Sequence, residues 1–262
     1  MPPEFNPAVF VEIRFAMIAP YSEAFKDTDV ARKWLSDRMP IFRNVCVPGL
    51  NMQSRKPDAV LLGYVDGLFN ESQQALKAID ESLKPTPVFQ KVCDDQIEEI
   101  TQVFSRGLAS FVRTEHTHVI SIRLDNDDAI HKDYIKGIVD HFKLALENKP
   151  DATDFFASYP FGMQTDGKDF VANIYPSGPF QARMEATHRD LKGIYGINHV
   201  KASRKKNFSL IVKNTPYWIQ YVHGSNVSNK IKQGSLRLTG IENLTVDFGL
   251  NENSFCARLM DI

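Results

Sequence analysis

Apolar and polar positions follow two rhythms along the chain. Ala8-Val9-Phe10-Val11-Glu12-Ile13-Arg14-Phe15 is apolar almost throughout, the pattern of a buried strand. Residues 27–45 have helical spacing, with Val30, Trp34, Ile41, Phe42 and Val45 as the apolar stripe and Pro40 predicting a kink or break. A second short apolar run covers 59–65, and 71–82 is helix-like, ending before Pro85 and Pro87. A third strand is predicted at 88–92, a helix at 95–111, a fourth strand at 119–124 and a helix at 128–146. Such alternation implies a mostly parallel sheet with helices on both faces.

After Pro150 the rhythm changes. Residues 155–161, 170–175, 208–212 and 218–222 read as strands between turns, with room for short helices only. The expectation is one α/β domain over 1–262, a mixed, mostly parallel sheet with a small antiparallel extension and a soft boundary near 150. No repeat with a period of 20–50 residues is visible.

Composition leaves this picture intact. With 43% hydrophobic and 24% charged residues the 262-residue chain is ordinary for a globular protein. No run approaches ~18 apolar residues, so no transmembrane helix is expected. Met1-Pro2-Pro3-Glu4-Phe5 lacks the basic start of a secretory signal, and Cys46, Cys93 and Cys256 are too scattered for a disulfide framework or thiolate zinc site. Three buried, inert thiols in a cytoplasmic protein are expected.

Charge does change the picture. The net charge of −1 conceals a stretch, 191–241, with nine bases and no acid. An anionic partner fits it, whether phosphate ester, nucleic acid or membrane surface; so does a solvated face that merely lacks acids.

The candidate chemistry lies in Arg123-Leu124-Asp125-Asn126-Asp127-Asp128, where the fourth strand should end. The chain has no GxGxxG after the first strand, no GxxxxGK[ST], no HExxH and no GxSxG. Open α/β sheets bind ligands beyond the carboxyl ends of their strands. Two carboxylates two residues apart in an extended turn can share a divalent cation, with phosphate and water completing its shell. Against this, about one D-x-D is expected by chance in a chain of this length, and Asp127 or Asp128 equally fits a helix cap. An EF-hand starting at Asp125 fails, because Ile130 and Lys136 stand where Gly and Glu are needed.

The run from Ser121 to Ile130 resembles the T-R-L-D-N-D-D-A signature of the putative rhamnosyltransferase family. Arg14-Phe15 is similar to its first-strand R-F, and Trp34-Leu35, Arg38, Phe42, Pro48 and Gln53 to its W-L…R…F…P-S…Q helix. Pro179-Phe180 with Glu185 resembles its P-F…E element, and Trp218-Ile219-Gln220-Tyr221-Val222-His223-Gly224-Ser225-Asn226-Val227-Ser228-Asn229 its W-L-Q-x-x-H-G-x-N-x-S-N element. The likeness runs from about residue 10 to 230; Gly49 and Ser121 depart from it, and 231–262 match nothing in it.

The resemblance implies a GT-A-like glycosyltransferase, with nucleotide-sugar binding in 1–150 and acceptor binding in 151–262. Asp125-Asn126-Asp127 would be its D-x-D and Mn2+ or Mg2+ its cofactor, with Asp125, Asp127 and His223 as ligands and Asp127 the more direct of the two aspartates. His223, read alone, is a loop histidine. Arg14, Asp66, Arg123, Asp125 and Asn126 are the candidate donor-binding residues, although Asp66 also suits a turn. Arg38 should reach either a phosphate or a structural carboxylate, and Trp34 should join the core.

Inverting transfer needs a carboxylate to accept the acceptor's proton. Glu185 is the candidate base, ahead of Asp154 and Asp166; a surface pair with Arg183 or Arg189 explains it as well. The implied partners are a dTDP-, UDP- or GDP-sugar and a glycan or lipid-linked glycan, with peripheral contact at the inner face of the membrane and no nucleic acid. The competing functions are a nucleotidyltransferase, which lacks its Gly-rich basic loop here, and a non-catalytic polyanion- or membrane-binding module using 191–241.

Overall fold

Strand β1 (Pro7–Ala16) runs inside a seven-stranded sheet of order β10-β6-β9-β4-β1-β2-β3. The computed structural model describes residues 4–16, 28–65, 73–92, 100–223, 231, 236–239 and 246–250. Strands β2 (Ala59–Val65), β3 (Pro87–Val92) and β4 (His118–Asp125) join β1 in parallel. The other side of β4 is carried by β6 (Asp154–Ser158), β9 (Gln181–Ala186) and β10 (Phe208–Leu210). β9 is antiparallel to both its neighbours, and β10 is parallel to β6.

Side chains alternate across β1 and so divide the core. Val9, Val11, Ile13 and Phe15 enter the larger cluster with residues of α1 (Thr28–Ile41), α3 (Gln73–Ser82) and α5 (Tyr134–Asn148). Ala8 and Phe10 pack instead with Phe104 and Leu108 of α4 (Ile100–Phe111). Further along that second face the layer turns polar, and Glu12 and Arg14 lie beneath a single 3-10 turn (Ile194–Gly196) and the short α6 (His199–Ala202).

Pro40 does not break the first helix. The chain stays helical through Pro40, widens into a π-turn (Phe42–Cys46), and continues as α2 (Val47–Met52). Phe42, Val45 and Cys46 are buried there, so the apolar face is kept while the turn absorbs the irregularity. Burial also pushes the Cys46 thiol well up, as an inert cysteine requires; Cys93 and Cys256 lie outside the described residues.

A second sheet, order β5-β11-β7-β8, carries the rest of the site. It contains β5 (Asp128–Ile130), β7 (Phe161–Thr165), β8 (Phe170–Ile174) and β11 (Trp218–Tyr221). The expected extension is therefore mixed, since β11 pairs with β7 in parallel. Three further expectations need correction. Residues 128–130 form a strand, not the start of a helix, and α5 begins at Tyr134. Residues 155–161 divide at Tyr159-Pro160 between the two sheets. β9 was not expected at all.

Trp218 anchors the second sheet. Its indole is 1% exposed, stacks on Phe180 at 4.5 Å between centroids, and donates to the Tyr159 carbonyl at 2.9 Å. Gly162 lies under the ring: a Cβ there would sit 2.0 Å from it.

Candidate active site at the carboxyl end of strand β4

The Asp125-Asn126-Asp127 turn joins the two sheets. Antiparallel pairing sets Trp218 opposite Ile130 and Gln220 opposite Asp128, so the chain leaving β11 runs back alongside the turn. His223 thereby reaches Asp127: Nε2 lies 3.0 Å from Oδ2, across 96 residues of sequence. Asp128 sits beneath, accepting from the Tyr221 amide at 3.1 Å through Oδ1, while its buried Oδ2 has no hydrogen-bond partner among the described residues. Burial, with Asp127 and Asp125 nearby, pushes the Asp128 carboxyl well up.

A third element closes the cluster. Arg38 of α1 is buried, and its Nη1 donates to Asp127 Oδ2 at 2.7 Å and Asn126 Oδ1 at 3.1 Å. The same nitrogen lies 3.2 Å from His223 Nε2. The guanidinium rests over Trp34 at 5.4 Å, and Trp34 meets Phe15 edge-on. Burial alone would raise the Asp127 carboxyl, but His223 and Arg38 together outweigh it and hold the group below its ordinary range. Asn126 donates to the Phe15 carbonyl at 2.8 Å, fixing the turn against the end of β1.

Asp125 faces the other way. Arg14 and Arg123 flank it at 3.4 and 3.5 Å, and both guanidinium groups lie near the Tyr195 ring, at 5.2 and 5.1 Å. His199 is 3.4 Å from Arg123, and burial, with Arg123 second, lowers its pKa and keeps it neutral at pH 7. The two aspartates thus belong to two clusters on opposite sides of one strand end, and do not converge on one point. Among the described residues, no three His, Cys, Asp or Glu side chains are placed to hold an ion together.

The donors that do converge suit a divalent cation. Asp127 supplies a carboxylate oxygen and His223 an imidazole nitrogen, with the Asn126 amide oxygen beside them. Two protein ligands are enough where phosphate oxygens and water complete the shell.

Glu185 lies elsewhere. It pairs across from Val119, six residues back along β4 from Asp125, or about 20 Å at strand rise. It is buried, ion-paired with Arg183 at 3.1 Å, and accepts the backbone N–H of Lys192 and of Gly193, the latter at 2.9 Å. Burial raises its pKa, with Arg183 the main opposing influence. The structure does not bring this expected base to the cluster, and the pair with Arg183 is the arrangement it shows. Asp154 pairs with Arg183 at 3.5 Å, while Asp166 bonds the backbone of its own turn. Asp66 lies outside the described residues.

Sequence reasoning did not assign Tyr195 to the Asp125 cluster; an aromatic heading an acid-free, Gly-flanked segment was the available signal. Gln53, noted only for its place in the resemblance, is a buried clamp: it donates to the carbonyls of Gly49 and His131 and accepts from the Ile135 amide, tying α2 to the start of α5.

The site is thus an acidic turn at the carboxyl end of an inner strand of a mixed α/β sheet, braced by arginines. Residues 13–235 match the family model described as "Putative rhamnosyl transferase", and the chain belongs to that family.

Among solved structures, TarS from S. aureus is similar at 10% identity and TM-score 0.42, covering 82% of this chain and 36% of that one. This chain therefore spans about a third of the length of TarS. A "putative nucleotide-diphospho-sugar transferase" from Desulfovibrio desulfuricans G20 shares 11% identity, with 83% of each chain covered and a TM-score of 0.39. HddC from Yersinia pseudotuberculosis shares 11%, covering 81% of this chain and 93% of that one, with a TM-score of 0.41. No curated protein sequence matches the chain.

Proposed function

We propose that the protein transfers a sugar, rhamnose by the family's description, from a nucleoside-diphosphate donor to a glycan hydroxyl, and that Asp127 and His223 hold a divalent cation for that reaction. The supporting observation is the meeting of these two side chains at 3.0 Å from turns far apart in sequence. When bound, such an ion offsets charge on the departing diphosphate. The chain's own residues prepare the rest. Asn126 pins the turn to β1, and Arg38 holds Asp127 ionised beside His223. Arg14 and Arg123 bring two positive charges to the single carboxylate of Asp125, which leaves net positive charge for donor phosphates at this strand end. Asp125 itself is about a quarter exposed and accessible to a ribose or sugar hydroxyl.

The acceptor is proposed to be lipid-linked, with the protein meeting an anionic membrane surface peripherally. Lys201, Arg204, Lys205, Lys206 and Lys213 are exposed, and exposed Val200, Leu210 and Val212 stand among them on α6, on β10 and just past its end. Among the described residues no helix is long and apolar enough to cross a membrane. Co-sedimentation with vesicles tests this: binding to anionic and not to neutral lipid supports it, and equal binding to both rejects it.

A thermal-shift screen of UDP, GDP and dTDP, each with and without Mn2+, tests the main reading. One nucleotide should raise Tm with metal and much less without it. If no nucleotide shifts Tm while polyanions do so in a salt-dependent way, the binding-module reading replaces it.

A further inference from the structure

The nitrogen of Arg38 that touches Asp127 is ringed by three atoms: Asp127 Oδ2, Asn126 Oδ1 and His223 Nε2. Carboxylate oxygen, amide oxygen and imidazole nitrogen are all metal donors. The separations of 2.7–3.2 Å are those of hydrogen bonds to a guanidinium. A positive charge therefore already sits on the donor set. It is well buried, with the Arg38 and Asp127 side chains only 7% and 9% exposed. Its guanidinium also rests over the Trp34 indole, 5.4 Å from the ring centroid.

We infer that Arg38 is an internal counter-ion occupying the cation seat, and that a divalent ion enters only as Arg38 is drawn off onto the diphosphate of the donor. The inference rests on the metal reading above. A dication beside Asp127 and His223 would lie against the guanidinium, and two such charges repel strongly in a site shielded from water. A guanidinium that merely left would be buried without a partner, which is costly. The diphosphate removes both difficulties, because it brings negative charge to the same strand end and matches guanidinium geometry. Arg14 and Arg123 also offer charge to the diphosphate, but they flank Asp125 on the opposite side of β4, so neither is the group that must leave Asp127 and His223. Metal and nucleotide affinities are then coupled, each raising the other by the same factor, and Arg38 both suppresses metal binding by the empty enzyme and grips the donor once the metal is in.

The test is titration of Mn2+ into the full chain by calorimetry and Mn2+ electron spin resonance, with and without the nucleoside diphosphate selected by the thermal-shift screen. Synergy alone follows from any ion that bridges phosphates, so the deciding measurement is metal binding without nucleotide. Arg38→Met should bind Mn2+ at least about tenfold more tightly than the unchanged protein, while its nucleotide affinity in the presence of metal falls about tenfold. Arg38→Gln, which keeps a hydrogen bond to Asp127, should move both quantities the same way and serves if the methionine variant does not fold. If Mn2+ binds the unchanged protein with nucleotide but neither variant binds metal more tightly without it, the inference is overturned and the metal reading stands. If no form binds Mn2+ with or without nucleotide, the metal reading itself has failed.

Discussion

The two ends of strand β4 both set a buried carboxylate against an arginine, and they do so with opposite kinds of neighbour. At the amino end Glu185 and Arg183 lie on one strand, and Glu185 spends its remaining lone pairs on the backbone amides of Lys192 and Gly193. At the carboxyl end Asp127 is held by side chains from α1 and from the segment after β11. A carboxylate that satisfies backbone donors is holding a segment in place; those donors cannot leave. One that is satisfied by side chains can exchange them for a ligand. Charge and burial alone do not separate the two sites, since both are buried ion pairs. The identity of the partners does.

The largest effect should come from breaking the carboxyl-end cluster. Asp127→Asn removes the charge that Arg38 and His223 face, and should lower kcat/KM for sugar transfer by about 10²–10³-fold. The check is steady-state kinetics with saturating Mn2+ and donor. A loss of less than about tenfold would show that the cluster is structural, like its counterpart at the other end.

The polar layer between the two ends gives the next effect. Glu12 is wholly buried on β1, packed under Gly193, where φ is +64° and a Cβ would lie 2.2 Å from its Oε1. Burial first, then Glu185, pushes its carboxyl up to about 8. The unfolded chain ionises Glu12 near 4.5, so between these values the unfolded state has lost a proton that the native state keeps. Stability is therefore full below pH 4.5 and declines as pH rises through 8. Glu12→Gln removes the difference and should gain about 3 kcal/mol near pH 7, with no gain below pH 4. Urea unfolding at pH 4, 6 and 8 measures it; a gain that did not grow with pH would place the charge elsewhere.

Glu185→Gln sharpens the contrast at the amino end. The amide oxygen still accepts from Lys192 or Gly193, but Arg183 keeps only the 3.5 Å contact with Asp154 as an ion pair. A loss of about 2 kcal/mol in stability is expected, with kcat/KM of the folded enzyme within about threefold of its starting value. A hundredfold loss of activity without loss of stability would restore Glu185 as the base.

How far the sequence reveals this contrast depends on the element. β1, β2 and β4 are legible because they are buried on both faces, and their apolar runs admit few other readings. β9 is not, because Gln181, Arg183 and Glu185 alternate with Ala182, Met184 and Ala186 and would normally mark a solvent-facing side. Here that polar side is covered by the segment from Leu191 to Ala202, a long-range fact that no local pattern carries. β5 is three residues long, too short for periodicity, and it is decided by its pairing with β11. In the site, the acidic turn was legible as a motif at a strand end, and His223 through family resemblance. A continued pleat would put both aspartates on one face; they part because β4 ends at Asp125 and Asp127 lies in the turn beyond it, a boundary the sequence does not mark. Arg38 reads as needing an anion, but only the fold says which.

The smallest effect is the one that separates the two aspartates. Asp125 meets its arginines at 3.4 and 3.5 Å and its side chain is 26% exposed, whereas Asp127 meets Arg38 at 2.7 Å and is 9% exposed. Solvent screening weakens the first pair and leaves the second nearly intact. Asp125→Asn should therefore change stability by less than about 1 kcal/mol, since the carboxylate is a quarter exposed and the amide can still accept from either guanidinium. Its effect should fall on donor binding instead, a rise in KM of about tenfold at little changed Tm, because the carboxylate is the accessible acceptor on its side of the strand. Differential scanning calorimetry beside the kinetics gives both readings. A loss of stability equal to that of Asp127→Asn would mean that the two carboxylates act as one unit across the strand end, with no division between a ligand-facing side and a cation-holding side.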